Sequence, residues 1–336
     1  MSTRTFSHSE LSRLSLCEAQ WDFSYGDTLA GSSLTAKVTA PRLREGRAWG
    51  RAVAAWHVSG GDASAARDAL VLALADDADE QRAEGVYLDD EHAAMSMRMI
   101  EMVDHYAATS TPLRLIDPER HYDVSIPSRT GRRASSVYRL SGYLDGVHID
   151  DDGRFWIVEF KLRGRLSSIE DLALDRQGRR YAWAWSRETG YDVAGVIYDE
   201  RLNEAPRPPK ILASGRPSTD KRQLCTAQDY ADACATAGVE PDAEMVDHLG
   251  SRVWQSRQRI IFRTDELEET GAELVSLAQR VGELESGRMP IRAANPIVCR
   301  GCFFRAICPD PTDDYALTAS YRRVPAKRNR PMEVAA

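Results

Sequence analysis

Two acids and a lysine stand where their types and spacing suit phosphate chemistry. Asp145 lies in Ser141-Gly142-Tyr143-Leu144-Asp145-Gly146-Val147, and Glu159 and Lys161 lie in Trp156-Ile157-Val158-Glu159-Phe160-Lys161. Aromatic and β-branched residues dominate both stretches, so residues 138–149 and 154–161 read as strands. Side chains alternate along a strand, so Glu159 and Lys161 share one face while Val158 and Phe160 point to the other. Asp151-Asp152-Gly153 has the form of a three-residue hairpin loop with its glycine in the left-handed conformation. That loop pairs Asp150 with Arg154 and sets Asp145 opposite Glu159, with β-carbons about 5 Å apart. Two facing carboxylates repel in a plain sheet. A hard dication between them removes the conflict, because Mg²⁺ takes one or two carboxylates together with waters and phosphate oxygens. Lys161, one step along the same face, is then placed to hold or polarise an attacking water. The stretch from His148 to Glu159 also matches a calcium-loop pattern, except that His148 occupies the first position. Such loops sit between helices, and these flanks alternate as strands.

A second set of residues has metal-ligand spacing. Cys299, Cys302 and Cys308 form a C-x2-C-x5-C run. In a reducing compartment thiols seldom pair as disulfides, so clustered cysteines read as ligands of a metal or cluster. Cys17, at the end of the first expected helix, is the natural fourth ligand. Spacing alone does not separate zinc from iron–sulfur. Cys225 and Cys234 lack partner thiols and read as ordinary buried cysteines.

Composition bounds what must position these groups. The 336 residues carry 44 basic and 51 acidic side chains, a net charge of −7, with 43% hydrophobic and 28% charged residues, which excludes a disordered chain or a fibre. Net acidity argues against a protein that coats nucleic acid, while leaving room for a local basic channel. No run approaches the roughly 20 apolar residues of a membrane helix. Met1-Ser2-Thr3-Arg4-Thr5 lacks the apolar core of a secretory signal, so a cytoplasmic protein with no membrane partner is expected.

Ser7-His8-Ser9-Glu10 has the form of a capping box, and Leu11, Leu14, Cys17 and Trp21 follow at helical spacing. After a loop over 26–41, helices are expected over 45–58, 63–75 and 90–108. The last carries a core stripe of Met95, Met99, Met102, Val103 and Tyr106. Beyond the hairpin come a helix over 169–189 and a strand over 193–198. Prolines interrupt 206–217, and helices resume over 227–237, 243–258 and from Thr264 onward. The organisation expected is an N-terminal helical part (1–110), a core (111–204), a helical insertion (205–290) and a cysteine segment with a basic tail (291–336), all in one intertwined domain. The tail includes Arg322, Arg323, Lys327, Arg328 and Arg330.

Gly142-Tyr143-Leu144-Asp145-Gly146-Val147, Val158-Glu159-Phe160-Lys161 and Gln177-x-x-x-Tyr181 together resemble the RecB-like branch of the PD-(D/E)XK nuclease superfamily. The resemblance implies an α/β, restriction-endonuclease-like core: a mixed sheet flanked by helices, with helical insertions. Asp145, Glu159 and the main-chain carbonyl of Phe160 would hold Mg²⁺ or Mn²⁺, Lys161 would assist the water, and Gln177 and Tyr181 would line the site. Arg179 and Arg180 would suit phosphate contact. Cys17 with the C-x2-C-x5-C run looks like the [4Fe–4S] variety of this branch, which includes AddB-type and CRISPR-associated Cas-four-type exonucleases. Cys17, Cys299, Cys302 and Cys308 would then hold a cluster that staples the chain ends, with zinc as the alternative. One element departs: the early helix carries Gly50 where the family has a histidine ligand, leaving His57, two turns on, as the substitute. The stretch over 206–219 resembles an insertion in phage-encoded members, and the helices after it would arch over a single strand. Phe303-Phe304 would stack bases or pack around the cluster. The implied activity is that of a DNA exonuclease on single strands or duplex ends, in recombination, repair or replication beside a helicase or recombination partner. The alternative is a non-catalytic DNA-binding subunit that retains the fold.

Overall fold

The computed structural model describes residues 3–27, 32–128 and 133–327; Arg328 and Arg330 of the basic tail lie outside them. The chain begins with β1 (Arg4–Phe6), α1 (His8–Leu16), α2 (Glu18–Tyr25) and β2 (Ser32–Ala36). Three helices follow: α3 (Pro41–Val58), α4 (Ala63–Glu84) and α5 (Asp89–Thr109). The central part holds β3 (Arg120–Pro127), β4 (Ala134–Leu144), β5 (Gly146–Ile149), β6 (Phe155–Arg163), α6 (Ile169–Ala173), α7 (Arg176–Thr189) and β7 (Val193–Leu202). Then come α8 (Ala227–Thr236), α9 (Ala243–Gly250), β8 (Gln255–Ile261) and α10 (Thr264–Glu285). The chain closes with α11 (Pro296–Arg300), α12 (Asp314–Ser320) and β9 (Tyr321–Pro325).

The main sheet runs β5-β6-β7-β8, with β6 and β7 parallel and both edges antiparallel. The β6–α6–α7–β7 crossover is the unit that a parallel pair requires. On one face Trp156, Val158, Phe160 and Ile197 pack beneath α3, α4 and α5, whose Met99, Met102, Val103 and Tyr106 form the expected stripe. On the other face Ile157, Val196 and Tyr198 meet α1, α7 and α10, together with β3 and β4 of the sheet β1-β4-β3. A mixed α/β architecture with helices on both faces is what the sequence led one to expect.

Several boundaries differ from expectation. The first helix breaks at Cys17, whose extended backbone (φ −165°, ψ 119°) caps α1 and opens α2. Ser7 accepts the Glu10 N–H as a cap should, but the Glu10 carboxylate turns away to Arg4, Trp21 and Lys327. The helix expected over 169–189 is interrupted at Asp175, which caps α7. Residues 243–258 divide into α9 and the start of β8. In the block 205–290, β8 joins the main sheet, and α10 buries Leu274, Leu277, Val281 and Leu284 in the main core. The excursion from the sheet therefore spans 203–254. It has a small core of its own in Cys225, Tyr230, Cys234, Met245 and Leu249.

Candidate active site

Trp156, Ile157 and Val158 bury β6 in the middle of the sheet, and the pleat then turns Glu159 and Lys161 to the α7 side near the strand's carboxyl end. The β5–β6 register pairs Gly146 with Val158 and Ile149 with Phe155 around the expected turn, with Gly153 at φ 77°. Asp145 is not itself a ladder residue: it occupies the bend between β4 and β5. Its Oδ2 accepts the Phe160 N–H at 2.8 Å, which anchors the carboxylate against β6 beside Glu159.

Glu159 is 2% exposed. Its Oε1 takes both the Lys161 ammonium and, at 2.7 Å, the Gln177 amide. Its Oε2 is shielded from solvent and has no hydrogen-bond partner among the described residues. Asp175 accepts the Gln177 N–H at 2.8 Å and so fixes the first turn of α7. Gln177 and Tyr181, one turn apart, then face β6 together. Gln177 accepts from Lys161 Nζ at 2.8 Å and donates to the Tyr181 hydroxyl at 3.0 Å.

Charge is in conflict here. Burial, and after it the charge of Asp145, pushes Glu159 up to about 8. Asp145 is also raised, by burial first, with the Phe160 N–H and Lys161 pulling the other way. The unpartnered Oε2 and the pair of hard carboxylates fit a hard dication. Among the described residues no three His, Cys, Asp or Glu side chains form a metal-binding group.

His57 does not join them. It lies on the opposite face of the sheet, where its Nδ1 accepts the Leu113 N–H at 2.9 Å and its ring stacks on Phe160 at 5.2 Å. Its Nε2 meets the Tyr106 hydroxyl at 3.2 Å, so both ring nitrogens are engaged and a ligand role is ruled out by position. A side chain at Gly50 would meet nothing within 4 Å. Arg180 is likewise no surface phosphate contact: it is fully buried and joins α7 to Ser12 of α1 and Glu273 of α10. Arg179 donates to the Ala173 carbonyl at 3.0 Å.

Two neighbours were not legible as site residues. His8 packs its ring 5.8 Å from Tyr181, and the Tyr122 ring lies 5.7 Å from Tyr181 on another side. His8 Nδ1 and the Tyr122 hydroxyl are both shielded, without partners among the described residues. The segment around His8 carries the signal of a helix start, and Tyr122 reads as strand core, so neither type of pattern announces chemistry.

The cysteines gather at the opposite end of α1. Cys17, Cys302 and Cys308 are partly buried against Phe23, Leu34, Phe304, Ile307 and Tyr321. Burial raises the Cys308 thiol; Arg292 lowers it, and Cys17, Cys302 and Cys299 raise it further. The Gln20 amide donates to Cys302 Sγ at 3.1 Å and the Ala293 N–H to Cys17 Sγ at 3.4 Å. N–H groups aimed at sulfur suit thiolate chemistry, although here too the thiols do not form a metal-binding group in this structure. Phe304 is core against Phe23 and Tyr321, while Phe303 is 48% exposed. Cys225 and Cys234 are buried in the inserted segment, away from the other four.

No curated protein matches the chain by sequence. A solved structure described as "Crystal structure of SSO0001" is similar, at 15% identity over 69% of this chain and 76% of that one, with a TM-score of 0.31. The family model for the PD-(D/E)XK nuclease superfamily matches residues 5–309, a span that contains the Asp145 bend, the Glu159–Lys161 strand, the Gln177–Tyr181 helix and all six cysteines. The chain belongs to the PD-(D/E)XK nuclease superfamily.

Proposed function

We propose that this chain is a divalent-metal-dependent DNA exonuclease of the RecB-like branch, acting on single strands or duplex ends. The observation that carries the reading is the convergence of Asp145, Glu159 and Lys161, with one Glu159 oxygen unpartnered. Asp145 and Glu159 would hold Mg²⁺ or Mn²⁺, with the Phe160 carbonyl as a further ligand. A bound ion of this kind activates water and stabilises charge on the scissile phosphate. Lys161 donates toward the attacking water or a phosphate oxygen, and Gln177 fixes the ammonium by accepting from it. Tyr181 in turn holds the Gln177 amide, so α7 sets the direction of Lys161.

Cys17, Cys299, Cys302 and Cys308 are proposed to hold a [4Fe–4S] cluster, with zinc as the alternative. The packing of Cys17, Cys302 and Cys308 against one small core, and the N–H groups at two of the sulfurs, support this. The cluster's role would be to join the two ends of the chain.

A second reading, a DNA-binding subunit without catalysis, is favoured by one observation. Gly50 stands where the family carries a histidine ligand, and His57 is engaged on the far side of the sheet. Digestion of end-labelled single- and double-stranded DNA with Mg²⁺ or Mn²⁺ separates the two. Nucleotide release that Lys161→Ala abolishes supports the exonuclease; retarded but unshortened DNA supports the binding subunit.

A further inference from the structure

A groove of about 1030 Å³ opens between α5 and the 203–254 excursion. Pro206, Pro208 and Pro209 cannot donate to a ladder, so the chain leaves β7 as an irregular apolar wall rather than as more strand. Leu249 of α9 and Trp254, where the excursion returns to β8, supply the floor, and Val253, 58% exposed, stands beside them. The Trp254 ring is fixed by its neighbours: Arg201 and Arg252 lie 5.4 and 5.5 Å from its centre, and the His105 ring lies at 5.6 Å. Apolar surface gathered in an open groove is the mark of an interaction site.

Both banks of the groove are acidic. Glu101 and Asp104 stand one turn apart on α5, and Asp229 and Asp232 one turn apart on α8. Only Asp104 has an ion-pair partner among the described residues, Arg67. Asp229 accepts from the Thr226 hydroxyl at 2.6 Å and Asp232 from the Gln228 amide at 2.7 Å, and neither donor offsets charge. Glu101 is exposed, without a partner among the described residues. The wall also holds Arg207 and Arg252, the latter committed to the Gln223 carbonyl at 2.8 Å and to the Trp254 ring. His105 adds no charge near neutral pH, because burial, and after it Arg201, lowers it to about 4. Carboxylates therefore outnumber cations in the wall, and the groove is negative.

We propose that this groove is the docking site of a protein partner, which presents to it a segment with an apolar stripe flanked on both sides by lysines or arginines. The apolar side chains cover Trp254, Leu249 and the prolines. Cations on one flank meet Glu101 and Asp104, and those on the other meet Asp229 and Asp232. An apolar floor between two acidic banks matches the pattern of a basic amphipathic segment laid into a groove. The same banks repel a nucleic acid or an acidic segment. α5 packs on the sheet face opposite Glu159 and Lys161, so the proposal uses neither the catalytic residues nor a metal.

The test is fluorescence anisotropy of a labelled synthetic peptide of leucine and lysine, its leucines set in one helical stripe, titrated with the full chain. It should bind saturably, about tenfold or more tighter than a scrambled peptide of the same composition, and more weakly as salt rises. Glu101→Lys with Asp232→Lys, one change on each bank, should weaken binding about tenfold or more. Glu268→Lys with Glu269→Lys, at exposed positions of α10, alters the net charge equally and should leave binding unchanged. If the first pair does not fold, Glu101→Gln with Asp232→Asn serves, with a smaller loss in the same direction. No saturable binding by the wild type, equal binding of the scrambled peptide, or equal losses from the groove and α10 pairs would overturn the docking site. Dimers of the free chain that Glu101→Lys with Asp232→Lys dissolves would give the groove to a second copy and overturn a separate partner.

Discussion

Glu159 is packed with one oxygen tied to Lys161 and Gln177 and the other without a partner among the described residues, beside a second acid. Substituting Lys161 or Asp145 by alanine removes a group from this cluster without opening the core. DNA cleavage should fall by about three orders of magnitude or more, while the melting temperature stays within a few degrees; unchanged cleavage would reject the assignment. The raised Glu159 also predicts a pH dependence. Between its ordinary value near 4.5 and its folded value of about 8, the folded protein holds a proton that the unfolded chain releases. The folded state then binds more protons, so this group's contribution to stability falls as pH rises through that window. A dication held as proposed would take the ionised carboxylate and reverse the trend. Melting scans should therefore show Mn²⁺ stabilising the protein more at pH 8.5 than at pH 6, and an equal shift at both would refute it. That Glu159 and Lys161 share a face was legible because strand alternation is local, whereas Asp145, expected opposite Glu159 in the ladder, sits in the bend before β5. His57 was not legible, because which face of the sheet a helix covers is decided by packing.

At the scale of elements, α7 has to lie close on the sheet for Gln177 to reach Lys161. Gly178 permits this: a β-carbon there would come within 2.4 Å of the Tyr198 hydroxyl and 3.0 Å of Val196. Gly178→Val should push the helix outward, costing about 1–3 kcal/mol as overpacking does, and should lower cleavage more than tenfold through the displaced amide. A denaturant titration alongside the nuclease assay separates the two effects, and a fully active, fully stable variant would show that the close approach is dispensable. The long helix α5 was readable from its apolar stripe, each end one residue off. The breaks at Cys17 and Asp175 were not, because helical periodicity continues across both and only the tertiary fold selects the interruption.

For the molecule as a whole, the two ends of the chain meet. β2 pairs with β9, and Phe23 and Leu34 pack with Phe304, Ile307 and Tyr321 around the partly buried cysteines. If the four thiols hold a cluster, Cys302→Ser should lose visible absorbance and bound iron together. It should also unfold at lower denaturant, by about 2–5 kcal/mol if the link resembles a lost disulfide in closing a long loop. Colourless protein with bound zinc would replace the cluster with the alternative, and unaltered stability would deny the link a structural role. Gln20→Leu, which removes the donor to Cys302, should lower metal retention about tenfold against a chelator.

What the sequence determined by itself was short-range: the hairpin and its register, the helix that carries Gln177 and Tyr181, and the cysteine run. In each, the periodicity of the backbone and the chemistry of a turn leave few alternatives. Only the tertiary structure decided that Asp145 sits in a bend and caps Phe160, that His57 and Arg180 are buried partners elsewhere, and that β8 and α10 belong to the core. Those outcomes depend on which distant surfaces bury one another, and no local pattern encodes that choice.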